Sequence, residues 1–206
     1  MTNPPRIPEA TFDRQDESPD ALFYQAPRMV VHIDEATINQ LRAFYAEVLF
    51  PDARVLDLMS SWVSHLPDTP ALAGVSALGM NAEELGANPR ADDWLVHDLN
   101  ADPVLPYPDA SFDFVFNAVS VQYLKRPFEV FAEIARVLRP QGMSVVAMSH
   151  RCFPTKAIRF FHGAPAAERC ELVRRYHADC EGFSEIRTLD RSPAVGDPLW
   201  LVVGRV

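Results

Sequence analysis

Glycine is scarce in this 206-residue chain: there are eight, and the first is Gly74. The stretch "ARVLDLMSSWVSHLP", residues 53–67, therefore runs from an apolar strand into an acid, Asp57, with Met59-Ser60-Ser61-Trp62 where a glycine-rich turn would be expected. That excludes a GxGxxG dinucleotide turn at this point, and neither a P-loop nor a GxSxG elbow occurs elsewhere. Cysteine is also sparse. Cys152, Cys170 and Cys180 are odd in number and widely spaced, which fits neither a disulfide framework nor a zinc site. No HxxxH or CxxC spacing offers a metal centre. Basic residues are outnumbered, 19 Lys and Arg against 28 Asp and Glu, for a net charge of -9. Nucleic acid is disfavoured as a partner, because phosphate binding needs clustered cations. The one adjacent basic pair on a helical stretch, Arg174-Arg175, reads as a solvated face. No apolar run approaches the ~20 residues that span a bilayer, and the polar, proline-rich start lacks the apolar core of a signal peptide. The expectation is a cytoplasmic protein with reduced thiols and no membrane partner, monomeric or homodimeric.

What is present is ordinary globular chemistry, 48% apolar and 23% charged. Residues 1–27 carry five prolines among many acids and no apolar period, which predicts a flexible arm ahead of one domain over 28–206. Asp34 can cap a helix on which Ile38, Leu41, Tyr45 and Val48 share a face before Pro51 stops it. Strand-like runs then follow at Ala53–Leu58, Gly74–Gly79, Trp94–His97, Phe112–Ala118, Met143–Ser149, Phe183–Leu189 and Leu199–Val203. Helical patterns lie between them. In "RPFEVFAEIARVLRPQG", Pro127 suits a first turn, Phe128, Phe131, Ile134, Ala135 and Leu138 share a face, and Pro140 with Gly142 ends it. Further helices are expected over 154–162 and 165–179. After the first strand only a short helix is expected, because Pro67 and Pro70 follow closely. Alternation of this kind implies a parallel sheet with helices on both faces. Ligands bind such sheets at the carboxyl ends of the strands, which singles out residues 57–62, 79–81, 97–100, 117–123 and 149–153.

The stretch "LPYPDASFDFVFNAVSVQYLKRPFEVFAEIARVLRPQG" resembles the corresponding stretch of the class I S-adenosylmethionine-dependent methyltransferases, type 11 in particular. The resemblance covers roughly residues 53–150. It implies a three-layer α/β Rossmann-like sandwich whose seven-stranded, mostly parallel sheet has an antiparallel last strand. It also implies S-adenosyl-L-methionine as cofactor and S-adenosyl-L-homocysteine as product. Carried over position by position, the cofactor would meet Asp57, Met59, Ser60 and Ser61 after the first strand. Asn81 stands where the family has a ribose-binding acid, 24 residues after Asp57, and Glu83 or Glu84 could take that role. Asp98 and the Leu99 amide would meet the adenine, and Asn117 with Ser120 the sulfur end. Gln122 and Tyr123 stand where relatives often have paired histidines. The sequence departs from the family at the absent glycines and the absent ribose acid.

Methyl transfer from a sulfonium needs alignment, and a base only if the acceptor must lose a proton. The candidates for catalysis are His65, His150 and Tyr123, with His97 a further histidine near a strand end. Tyr107, Gln122 and Arg151 are candidates for binding a small-molecule acceptor. Cys152 lies beside Arg151, which could lower its pKa. The leading expectation is a methyltransferase acting on a small molecule. The alternative is a non-catalytic binding or scaffold protein on the same fold that has lost its cofactor, in which Trp62 fills the place of the methionine moiety.

Overall fold

The computed structural model describes residues 7–206, so the first six residues of the expected arm lie outside the described residues. Seven strands form one sheet in the order β3-β2-β1-β4-β5-β7-β6. They are β1 Arg54–Ser60, β2 Gly74–Gly79, β3 Asp93–Val96, β4 Phe112–Ala118, β5 Leu138–Met148, β6 Glu185–Asp190 and β7 Trp200–Arg205. β1 to β5 pair in parallel, and β7 runs antiparallel between β5 and β6. The order reverses between β1 and β4, so the topological switch point lies at their carboxyl ends. This is the three-layer α/β architecture expected, with one antiparallel strand.

The longer helices cover the sheet for reasons visible in the chain. In the order of the chain the helices are α1 Asp20–Phe23, α2 Glu35–Val48, α3 Ala82–Gly86, α4 Pro127–Val137, α5 Arg159–Gly163 and α6 Ala166–Ala178. Asp34 caps α2 by accepting from the Thr37 amide at 2.9 Å. Leu41, Phe44 and Tyr45 are buried on its inner face, and Tyr45 stacks on Phe116 of β4 at 4.1 Å. On the opposite side α4 begins with Pro127 in its first turn and buries Val130, Phe131, Ile134 and Val137. Tyr176 of α6 packs against Phe128 and Phe131 there. Two hydrophobic cores result, one on each face of the sheet.

Two helical expectations fail: over 154–162 the helix begins only at Arg159, and the short helix after the first strand does not form. Residues 61–73 hold no helix at all. Pro67 and Pro70 remove two amide donors, and the side chains of Ser60, Ser61 and Ser64 are engaged in hydrogen bonds that an exposed helix would not satisfy. The carboxyl end of β1 therefore has no helix N-terminus beside it.

Residues 7–27 cross the carboxyl end of the sheet. Arg14 bridges to Ile158, and Asp16 N–H donates to the Thr155 carbonyl at 2.9 Å. Arg14 Nη1 donates to both oxygens of Asp20 at 2.9 Å. Lys156, with its side chain wholly buried, reaches Asp16 at 3.1 Å, Asp20 at 3.3 Å and the Ser18 carbonyl oxygen at 2.7 Å. Two cations and two carboxylates neutralise one another here, which is how buried charge is tolerated.

Candidate active site

A cavity opens at the switch point, roofed by the segment 20–32 and walled by the ends of β1, β2, β3 and β4. Its carboxylates are Asp20, Asp57, Glu84 and Asp98.

At the end of β1 the backbone does without glycine. Met59 adopts φ 58°, and the β1–β2 register slips there, so that Ser60 rather than Met59 pairs with Gly79. A methionine in the left-handed region is uncommon, and such strain gathers at ligand sites. The turn is held by hydrogen bonds instead. Ser60 Oγ donates to Asp57 at 2.6 Å, and Ser64 Oγ donates to the same carboxylate oxygen. Asn88, buried at the end of α3, donates from Nδ2 to the Ser61 carbonyl at 3.0 Å and to Ser64 Oγ at 2.9 Å. Burial pushes the Asp57 carboxyl up to about 6, against the pull of its two serine donors. Trp62 turns away: its indole Nε1 donates to the Val30 carbonyl at 2.9 Å, and the ring is not on the cavity wall.

At the end of β2 the amide of Asn81 is fully used. Its Oδ1 caps α3 by accepting from Glu83 and Glu84 amides at 3.0 and 3.1 Å, and its Nδ2 donates to the Tyr24 and Gln25 carbonyls. The side chain that reaches the cavity is Glu84, one turn along α3, where Oε2 accepts from Ser61 Oγ at 2.5 Å and Oε1 from the Arg28 amide at 2.7 Å. Asp98 and Leu99 line the wall beyond β3, although Asp98 Oδ1 also accepts from the Asn100 amide at 2.9 Å.

Beyond β4, Val119 is a second strained residue, at φ 51°, and Ser120 Oγ is buried without a partner on the cavity wall. Asn117 lies behind the wall, donating to the Leu58 carbonyl at 3.3 Å. Tyr123 lines the cavity, and its hydroxyl accepts from the Phe153 amide at 2.8 Å. Burial pushes that phenol up to about 12. His65 is also on the wall, with Nδ1 buried and unpartnered, and burial first, then Arg42 and His32, bring its pKa down to about 4. His97 is on the wall too, its ring tied to the Asp102 carbonyl at 2.8 Å.

Four further expected residues sit elsewhere. His150 and Arg151 both bind Asp197, at 3.2 and 2.9 Å, and so fasten the end of β5 to the turn before β7. Tyr107 packs edge-on against Phe112. Gln122 is buried behind the wall, donating to the Val119 carbonyl at 2.8 Å. For Cys152 the expected direction is reversed, since burial pushes the thiol up. The residues that sequence reasoning missed are Tyr24, Arg28 and His32 of the roof. No local motif marks them; only the fold of 20–32 over the sheet brings them in.

A seven-stranded sheet of this order, with a cavity at the β1–β4 switch point, defines a doubly wound α/β fold with its cavity where such sheets take ligands. Residues 74–146 match the family described as a methyltransferase domain, and the chain belongs to the class I S-adenosylmethionine-dependent methyltransferases. Over 155 residues, 70% of this chain, it is 31% identical to a demethylmenaquinone methyltransferase of Renibacterium salmoninarum, and it covers 64% of that protein's length. An S-adenosylmethionine-dependent methyltransferase from Mesorhizobium loti superimposes with a TM-score of 0.58 at 17% identity, over 83% of this chain and 98% of that one. The [4+2]-cyclase SpnF superimposes with 0.60 at 16% identity, over 88% of this chain and 89% of that one. At these identities the two structures show a shared fold.

Proposed function

We propose that the protein transfers a methyl group from S-adenosylmethionine to a small-molecule acceptor. The observation that carries this is the set of carboxylates at three successive strand ends, Asp57, Glu84 and Asp98, facing one cavity from which Trp62 is turned away. The cofactor suits the residues present. Ser120 Oγ is a buried polar atom on the wall that lacks a partner, and Gly79 keeps the β2 end close against Ser60. In this reading Glu84, rather than Asn81, accepts from the ribose hydroxyls. Asp98 and the Leu99 amide hold the adenine, and Asp57 with Ser60 and Ser61 borders the amino-acid end. When bound, the cofactor supplies an activated methyl group. The chain's own part is to align the acceptor and exclude water. His65, whose buried Nδ1 has no partner among the described residues and whose ring burial keeps neutral, is assigned as the proton acceptor on the wall, and Tyr123 positions the methyl acceptor.

A second reading keeps the fold without methyl transfer. It is favoured by the self-satisfied network of Asp57, Ser60, Ser64 and Asn88 and by the missing helix after β1. The fold alone does not decide between them. Calorimetric titration with S-adenosylmethionine and S-adenosylhomocysteine does: saturable binding supports the first reading, and no heat at millimolar ligand overturns it.

A further inference from the structure

The roof of the cavity carries a cation that the cofactor reading leaves without a task. Among the described residues, Arg28 is the one Lys or Arg side chain on the cavity wall. Its guanidinium lies 4.2 Å from the centroid of Phe23 and 5.7 Å from that of Phe153. Among the described residues it makes one side-chain hydrogen bond, Nη1 to the Ala26 carbonyl at 3.2 Å, and no ion pair. The four carboxylates of the cavity are engaged by other groups. Asp20 is held by Arg14, Lys156 and Asn100, Asp57 by Ser60 and Ser64, Glu84 by Ser61 and the Arg28 backbone, and Asp98 by the loop that follows it.

We propose that Arg28 binds the carboxylate of an aromatic acceptor, which makes the substrate class an aromatic acid. This rests on the methyl-transfer reading above. Three observations carry it. The Arg28 guanidinium lies over the Phe23 ring with one N–H on the Ala26 carbonyl, and its remaining N–H groups can meet a carboxylate in two hydrogen bonds. Its surroundings are aromatic: Phe23 lies under the guanidinium, and Phe153 and Tyr123 line the cavity with ring centroids 6.0 Å apart. Its place also separates it from the cofactor strands. The Arg28 amide lies against Glu84 over β2, but its side chain extends to Phe153, which follows β5. The cofactor groups lie at β1, β2 and β3, so the guanidinium stands on the acceptor side of the switch point.

The test uses the full chain saturated with S-adenosylhomocysteine, titrated with 4-hydroxybenzoate and with the uncharged 4-hydroxybenzamide. The expected result is that the acid binds at least about tenfold more tightly than the amide, one charge-assisted contact at ~1.4 kcal/mol per tenfold. In Arg28→Met the two ligands become equal, Arg28→Lys restores part of the difference, and S-adenosylhomocysteine binds all three proteins alike. Equal binding of acid and amide to the wild-type complex, or binding of neither, overturns the proposal while leaving the cofactor reading intact. A tenfold loss of S-adenosylhomocysteine affinity in Arg28→Met, with methylthioadenosine unaffected, also overturns it, because Arg28 would then hold the cofactor's own carboxylate. Failure of wild-type protein to bind S-adenosylhomocysteine overturns the methyl-transfer reading itself and this inference with it.

Discussion

Ser60 donates its hydroxyl to the Asp57 carboxylate at 2.6 Å across a strand end that turns through Met59 at φ 58°. The pair does by side-chain hydrogen bonding what glycine does by conformational freedom. Its cost is a buried carboxyl with few donors.

That carboxyl gives a pH signature. The Asp57 pKa is about 6 in the folded protein, against roughly 3.9 for an unfolded aspartate. Between those values the folded state binds the extra proton, so this group's contribution to stability falls as pH rises through the window and is level above it. Urea unfolding of wild type and Asp57→Asn between pH 4 and 7 should show the wild type losing about 2–3 kcal/mol relative to the variant. His65 and His177 are held near 4 by burial, so their contributions rise with pH. They are common to both proteins and cancel in the difference.

The proposed assignment of the ribose to Glu84 rather than Asn81 is testable by mutation. Glu84→Gln keeps an acceptor but loses the charge, which should weaken S-adenosylhomocysteine by roughly ten- to thirtyfold. Asn81→Asp, which writes the family's acid back into the sequence, should not raise affinity. It removes the donor to the Tyr24 and Gln25 carbonyls and should cost about 1–3 kcal/mol of stability, read from the denaturant midpoint.

The roof is fastened by charge. Asp20→Asn leaves Arg14 and Lys156 short of a buried counter-charge and should cost about 3–5 kcal/mol. Hydrogen exchange should quicken through residues 7–27 before it does in the strands.

Trp62 should be dispensable to the ligand. Trp62→Phe removes only the indole donor to Val30 and should leave S-adenosylhomocysteine affinity within about twofold, since a single net hydrogen bond outside the site is worth ~1 kcal/mol of stability. A large gain in affinity would mean that the tryptophan competes for the cofactor space.

Much of the fold was legible because its signals are local. Apolar runs mark the strands, Asp34 caps α2, and Pro127 opens α4. The site was legible in part, for Asp57, Ser60, Ser61, Asp98 and Ser120 do meet at one cavity. The rest depends on partners distant in sequence. Asn81 is spent on carbonyls 57 and 56 residues before it, which is why Glu84 replaces it at the wall. His150 and Arg151 look like pocket residues until Asp197 folds back to claim them. The direction of Trp62 is set by Val30, 32 residues earlier. No spacing rule encodes such meetings.

The most direct measurement is a crystal structure of the protein grown with S-adenosylhomocysteine. The expected density places the ribose hydroxyls on Glu84 and the adenine amino group at Asp98, with Trp62 still bonded to Val30. An empty cavity at millimolar ligand, with the Asp57–Ser60–Ser64 network closed over it, would contradict the proposed activity.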